Sequence, residues 1–274
     1  MRILHLGFSD TNGGAAQAMM RIHNSLLDLN IDSNVLVAEK LTKNRNVFSS
    51  NKNFFEKYIV DFKIKLARQK KFFFNSSNGY SHSLNIFKSK ILKKIDEINP
   101  DIINLHWINN ELISIKQLSK IKRPMIWTMM DMWPMCGGEH YTDSSRYIDG
   151  YKDFNRDPGE KGFDLNKWLW DKKIKYLKNN PKTIICISDW LQNKTKKSFL
   201  FKNTNITKIN PSINNNVWKP IDKNFAKKKL DIPLDKKVLL FFSTNGINDK
   251  RKGYEFVEFV SNKSSSSLKD FIVL

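Results

Sequence analysis

The opening of the chain constrains the fold more than any other feature. Residues 3–8 form a short apolar run with a β-branched start, Asn12-Gly13-Gly14-Ala15-Ala16 is a turn of small residues, and residues 15–29 repeat apolar side chains at helical spacing through Ala18, Met19, Ile22, Leu26 and Leu29. Residues 33–38 are a second apolar run. Strand, turn, helix, strand in that order calls for parallel strands joined by a right-handed crossover.

The same alternation continues. Helices are expected over 83–98, stopped by Asn99-Pro100, over 113–121, and over 165–177 with Asp164 as cap. Strands are expected over 101–107, 124–128, 183–188 and 206–213, and Ser188-Asp189-Trp190 opens another helix. Between them lies a long loop, about 132–162, rich in Gly, Asp and Tyr. Residues 214–220 have linker chemistry. A second α/β unit begins near residue 221 with a short helix over 225–230, a strand over 237–243 and a helix over 254–260. One βαβ unit cannot cover both faces of a parallel sheet. The expected organisation is therefore a parallel-sheet domain over 1–213, a linker over 214–220, and the incomplete start of a second domain over 221–274.

Composition removes several classes. Hydrophobic residues make up 40% and charged residues 27%, enough for a packed core. The two cysteines, Cys136 and Cys186, form no CxxC or Cys/His cluster, which argues against a zinc ribbon, a disulfide scaffold or an iron–sulfur site. Apolar runs fall short of the ~18 residues of a spanning helix, and no signal-peptide pattern opens the chain, so a cytoplasmic protein is expected.

Lys and Arg number 47 against 27 Asp and Glu, a net charge of +20. Three explanations compete: a lysine-coated surface of a Lys-, Asn- and Ile-rich chain, nucleic acid, or an anionic membrane, where each surface cation contributes ~1 kcal/mol. No nucleic-acid module is present, so no nucleic-acid partner is expected. Residues 56–71 hold six basic and two acidic side chains, with Phe54, Phe55, Tyr58, Ile59, Phe62 and Leu66 along one helical face and Phe72-Phe73-Phe74 after it. Residues 54–74 are either a peripheral membrane contact or an ordinary helix docked on the core by the same stripe.

Candidate chemistry collects at strand ends, where open α/β sheets bind ligands. Gly13 and Gly14 suit backbone approach to a phosphate, or simply a turn needing positive φ. His106 ends a strand and is either a ligand group or a core histidine. Asp131 ends the next and either binds a sugar hydroxyl or caps its loop. Glu139, His140 and Tyr141 lie in the long loop as hydroxyl binders or acid–base groups, or at a solvated tip. Arg251 and Lys252 before Gly253 suit a diphosphate, or a solvated turn. Zincin, serine-hydrolase, Walker A and dinucleotide-fingerprint motifs are absent.

Taken in order, these pieces resemble a bacterial family-4 retaining glycosyltransferase of the O-antigen, capsule or exopolysaccharide type. The resemblance rests on Gly13-Gly14-Ala15-Ala16, Asn104-Leu105-His106-Trp107, Trp127-Thr128-Met129-Met130-Asp131-Met132-Trp133, Gly137-Gly138-Glu139-His140-Tyr141, Arg146-Tyr147, Asp164-Leu165-Asn166-Lys167-Trp168, Ile187-Ser188-Asp189-Trp190-Leu191, Ile209-Asn210-Pro211-Ser212-Ile213, Trp218-Lys219-Pro220 and Arg251-Lys252-Gly253. It implies a GT-B-like fold of two Rossmann-like domains, with a nucleotide-diphospho-sugar as donor substrate and a glycan or lipid-linked acceptor. It further implies retention of configuration, no metal and no cofactor. On this resemblance Gly13, Gly14, Arg251 and Lys252 bind the donor, His106 and Asp131 are catalytic, and Glu139, His140 and Tyr141 meet the acceptor.

The sequence departs from the family pattern in places. Met130 stands where relatives often carry His, Gly246 lies where many carry Arg, and the family's E-x7-E donor motif would fall beyond residue 274. The alternative expectation is a truncated remnant that binds glycan or membrane without catalysis.

Overall fold

A computed structural model describes residues 1–51, 54–69, 74–75, 79–180, 182–243, 249–267 and 271–273. The chain divides into two compact units, Met1–Ile213 and Asn214–Leu274.

In the first unit the elements run β1 (Arg2–Ser9), α1 (Gly14–Asp28), β2 (Asp32–Glu39), β3 (Val47–Ser49), α2 (Phe54–Arg68), β4 (Phe74–Asn75), α3 (Ile91–Ile98), β5 (Ile102–Leu105), α4 (Ile115–Leu118) and β6 (Met125–Met129). They continue with α5 (Arg146–Asp149), β7 (Lys161–Gly162), α6 (Leu165–Leu177), β8 (Lys182–Cys186), α7 (Asp189–Lys197) and β9 (Asn205–Lys208). Seven strands form one sheet in the order β3-β2-β1-β5-β6-β8-β9. Every pairing in it is parallel. Inward apolar side chains from the central strands, including Leu4, Leu6, Leu36, Ile103, Leu105, Trp127 and Ile184, are buried in one core. Gly7 lets α1 pack close: a Cβ there would stand 2.7 Å from the Met19 sulfur.

The strand order fixes where a ligand can enter. From β1 the chain builds outward to β2 and β3, then returns to build β5, β6, β8 and β9 on the other side. The crevice between the carboxyl ends of β1 and β5 is therefore the topological switch point.

Two expected helices are shorter than their periodicity suggests. The segment before Ile91 is not helical because its amides are claimed elsewhere. Asn85, Ile86 and Phe87 donate their N–H groups to the Glu111 carboxylate at 2.7, 2.8 and 2.9 Å, and Asn85 takes φ 50°. α4 keeps only the turn over Ile115–Leu118, capped by the Ser114 hydroxyl at the Gln117 amide. The strand expected over 206–213 ends at Lys208. The long loop is not structureless: it contains α5 and β7, and β7 pairs antiparallel with β4.

α2 forms, but its apolar face divides. Ile64 is buried and Ile59, Val60 and Ala67 are half-buried, whereas Tyr58, Phe62 and Leu66 are 61%, 57% and 48% exposed. The side chains of Phe54 and Phe55, and residues Phe72 and Phe73, lie outside the described set.

The second unit holds α8 (Lys223–Lys229), β10 (Lys237–Leu239), α9 (Tyr254–Ser267) and β11 (Phe271–Val273). β10 and β11 pair in parallel across the α9 crossover. The serine run is absorbed into α9. No described residue of this unit is buried; Leu240, Phe242, Phe256 and Phe259 are exposed.

Candidate functional site

The β1–α1 turn is built by its glycines. Gly13 is the N-cap of α1 with φ 87° and ψ 164°, and no side chain caps the helix. The Ser9 hydroxyl accepts from the Thr11 and Asn12 amides at 3.3 and 3.2 Å and folds the turn over the strand end. Gly13 is needed for its backbone angles. Gly14 is not: it has no positive φ, and a Cβ there would meet nothing within 4 Å. The helix dipole and uncapped amides leave this end of α1 receptive to an anion.

His106 follows β5 directly opposite. It lines a small cleft, about 40 Å³, together with Gly7, Phe8, Ser9, Asn12, Ala15, Ala16, Met19 and Trp107. Its Nε2 lies 3.0 Å from Nδ1 of His5 on β1, and both rings are buried. Burial, and then the neighbouring His5, push His106 well below the ordinary histidine range. Burial, and then His23, lower His5 to about 3. Both imidazoles are neutral at pH 7.

Asp131 follows β6 and carries the third feature. Its Oδ1 accepts from the Trp133 amide at 3.0 Å and its Oδ2 from the Trp107 indole at 3.1 Å. The same Oδ2 lies 2.6 Å from His140 Nδ1, and His140 Nε2 lies 2.8 Å from the Ser83 hydroxyl. The register is set by an antiparallel pairing of two loops: Ser83 N–H donates to Gly138 O at 2.8 Å and His140 N–H to Ser81 O at 2.9 Å. Asp131, already holding two fixed donors, acts as an acceptor. His140 Nδ1 then donates to Asp131, and Nε2 faces the Ser83 hydroxyl.

The expected acceptor residues separate. Glu139 is enclosed: Tyr151 donates its hydroxyl to Oε1, Oε2 has no partner among the described residues, and burial raises its carboxyl above the usual range. The Glu139 carboxylate faces the loop interior, not a solvated tip. Tyr141 is half-buried, its ring 6.1 Å from Tyr80 and 6.3 Å from Trp190, the latter 49% exposed at the start of α7.

A buried polar scaffold holds this loop. Lys173 of α6 donates to the carbonyls of Trp133, Cys136 (3.0 Å) and Gly137 (2.7 Å) and sits over the Trp133 ring. Arg146 reaches Asp164 at 2.6 Å and Glu160 at 3.3 Å. Gly137 is required here because a Cβ would strike the Asn166 backbone at 2.5 Å.

In the second unit, Arg251 and Lys252 occupy a short 3-10 turn before α9 and are exposed, with Arg251 paired to Asp249. Gly246 lies outside the described residues. Ser83, His5 and Trp190 join the site only in the folded structure. Ser83 and His5 carry no local motif, whereas Trp190 stood in the Ser188-Asp189-Trp190 helix start.

Other openings exist in the first unit. A groove of about 840 Å³ lies at the amino ends of β6 and β8, lined by Lys122, Arg123, Pro124, Met125, Lys182 and Thr183. Ligands of parallel sheets bind at the carboxyl ends, so the smaller cleft at the switch point is the better candidate despite its size. A cavity of about 380 Å³ opens beside α2 near the carboxyl ends of β2 and β3, lined in part by Ser50, Asn51, Ile59, Lys63, Lys88 and Leu112. Among the described residues no cluster of three or more His, Cys, Asp or Glu could hold a metal ion. No helix among them is long and apolar enough to cross a membrane.

No protein-family profile matches the sequence, and no protein of curated function does. Solved structures do. WaaG, a glycosyltransferase involved in lipopolysaccharide biosynthesis, superposes with TM-score 0.56 at 9% identity over 99% of this chain and 62% of its own. Sucrose-phosphate synthase from Thermosynechococcus elongatus superposes with TM-score 0.57 at 9% identity over 100% of this chain and 61% of its own. The fold is GT-B-like and Rossmann-like. The chain spans about three-fifths of the length of these two structures.

Proposed function

We propose that this chain is part of a glycosyltransferase that moves a sugar from a nucleotide-diphospho-sugar to a glycan or lipid-linked acceptor, with retention and without a metal. One observation carries the reading: at the switch point of a GT-B-like sheet, the uncapped end of α1, through Asn12, Ala15 and Ala16, shares a cleft with buried His106. The amides at Gly13 and Gly14 receive a diphosphate oxygen, and His106 touches the donor sugar or its phosphate. In the second unit, exposed Arg251 and Lys252 are fixed cations of the kind that stabilise a leaving diphosphate.

On the acceptor side, His140 meets the acceptor and Asp131 positions its ring. Tyr141 and Trp190 offer aromatic faces on which the apolar face of a pyranose stacks. The O-antigen, capsule or exopolysaccharide setting supplies an acceptor of this kind. The exposed line of Tyr58, Phe62 and Leu66, with Lys65 and Arg68 beside it, fits contact with an anionic membrane carrying a lipid-linked acceptor, and hence a peripheral cytoplasmic location.

The test is a titration of the protein with UDP- and GDP-sugars, followed by amide and imidazole NMR. Binding that perturbs Gly14 and His106 supports the reading. An unperturbed cleft across the panel overturns it. A second reading, glycan or membrane binding without catalysis, is favoured by the exposed apolar line on α2; it predicts vesicle or glycan binding with no response to any nucleotide-sugar.

A further inference from the structure

We propose that His5 decides which nitrogen of His106 carries the proton, and that it makes His106 a hydrogen-bond donor at Nδ1 on the switch-point cleft. The two rings lie on neighbouring strand ends, with His5 Nδ1 and His106 Nε2 3.0 Å apart and ring centroids 5.3 Å apart. Their outer nitrogens, His5 Nε2 and His106 Nδ1, are buried with no hydrogen-bond partner among the described residues.

Two neutral imidazoles share two protons. One proton fills the bond between the rings, and the other must sit on an outer nitrogen. If His5 donates, the outer proton is on His106 Nδ1 and His5 Nε2 is a bare lone pair. If His106 donates, the outer proton is on His5 Nε2 and His106 Nδ1 is bare.

Each arrangement leaves one N–H and one lone pair without a protein partner, so location decides between them. An N–H shut away from any acceptor costs more than an unused lone pair. His5 does not line the cleft; its ring is 0% exposed and meets the edge of His23, whose own Nε2 has no partner among the described residues. His106 does line the cleft, whose volume is enough for a water or one ligand oxygen. The first arrangement places the unpaired N–H on the ring that borders the cleft, not on the enclosed one.

The consequence is chemical. His106 offers N–H to a ligand oxygen, whether hydroxyl or phosphoryl, and its one basic nitrogen is occupied by His5. It therefore does not deprotonate a substrate hydroxyl, and His5 is a positioning residue. The identity of the ligand oxygen rests on the glycosyltransferase reading above; the proton assignment does not.

The experiment is a long-range 1H–15N correlation spectrum of the full chain with 15N-labelled histidine, near neutral pH and without ligand. The expected result is His106 protonated at Nδ1 and His5 protonated at Nδ1. His106 protonated at Nε2 overturns the proposal. Two variants extend the test. His5→Asn places an amide N–H near the former Nδ1 and is expected to preserve the His106 Nδ1–H form. His5→Phe is expected to leave a mixture of both His106 forms. A folded His5→Phe protein with the wild-type His106 pattern also overturns the proposal; if that variant does not fold, the wild-type and His5→Asn spectra decide. Failure of nucleotide-sugar titration would count against the donor site and leave this assignment standing.

Discussion

Adjacent glycines at the head of α1 carry different burdens. Gly13 holds φ 87° and ψ 164°, a region essentially reserved for glycine. Gly13→Ala is expected to cost about 1–3 kcal/mol, read as a lower urea midpoint. Gly14→Ala is expected to leave stability unchanged or raise it by up to ~1 kcal/mol, since alanine is the better helix former. If the turn cradles a diphosphate, the same methyl weakens nucleotide-sugar affinity by about tenfold or more, ~1.4 kcal/mol. The sequence could name this pair but could not say which glycine the backbone required. The buried histidines give a second expectation. Unfolded histidines take up protons below about pH 6.5, whereas folded His5 stays neutral down to about 3 and His106 well below the ordinary value. The unfolded state therefore binds more protons, and stability falls as pH drops below about 6.5, by ~1.4 kcal/mol per unit for each histidine held neutral. Urea unfolding between about pH 7.5 and 5.5 checks the slope, and His5→Phe should flatten it.

At the scale of elements, the long loop is held by α6. Arg146 is 3% exposed and pairs with Glu160 and Asp164, so Arg146→Met leaves two poorly solvated carboxylates to Arg156 alone, whose Nε is 3.7 and 3.8 Å away. A loss of about 3–5 kcal/mol is expected, with new protease cleavage between residues 150 and 164. Unchanged melting and cleavage would show that the pairing contributes nothing. α2 supplies the opposite case. Because Phe62 and Leu66 are exposed, Phe62→Ser with Leu66→Ser should keep the melting temperature but reduce binding to vesicles containing anionic lipid. The helical period of α2 was visible in sequence. Which side of it faced outward was not, because Tyr58, Phe62 and Leu66 are as apolar as the Ile64 that packs inward.

For the molecule as a whole, the two units differ in how they bury apolar surface. The first has a seven-stranded sheet with buried side chains throughout its centre; the second has two strands, two helices and no buried residue among those described. A unit with no buried side chain among those described has too little core to be stable by itself in water. Residues 1–213 expressed alone are expected to show one cooperative transition close to that of the full chain. Residues 214–274 alone are expected to show none. Calorimetry of both pieces provides the check, and independent melting of the second would refute the argument from burial.

Local patterning determined the parallel α/β architecture, because apolar period, small turn residues and caps such as Asp164 and Ser188 act within a few residues of themselves. It also placed Gly13, His106 and Asp131 at strand ends, since in a parallel sheet those ends follow from chain direction. Tertiary structure alone decided what those residues touch. Asn85 left the helix its period suggested because Glu111, remote in sequence, took three amides of that segment. Ser83 met His140 because two loops paired, and Glu139 turned inward because Tyr151 was there to donate to it. Contacts of this kind depend on which strands neighbour one another. The order of seven strands is a property of the assembled sheet, not of any window along the chain.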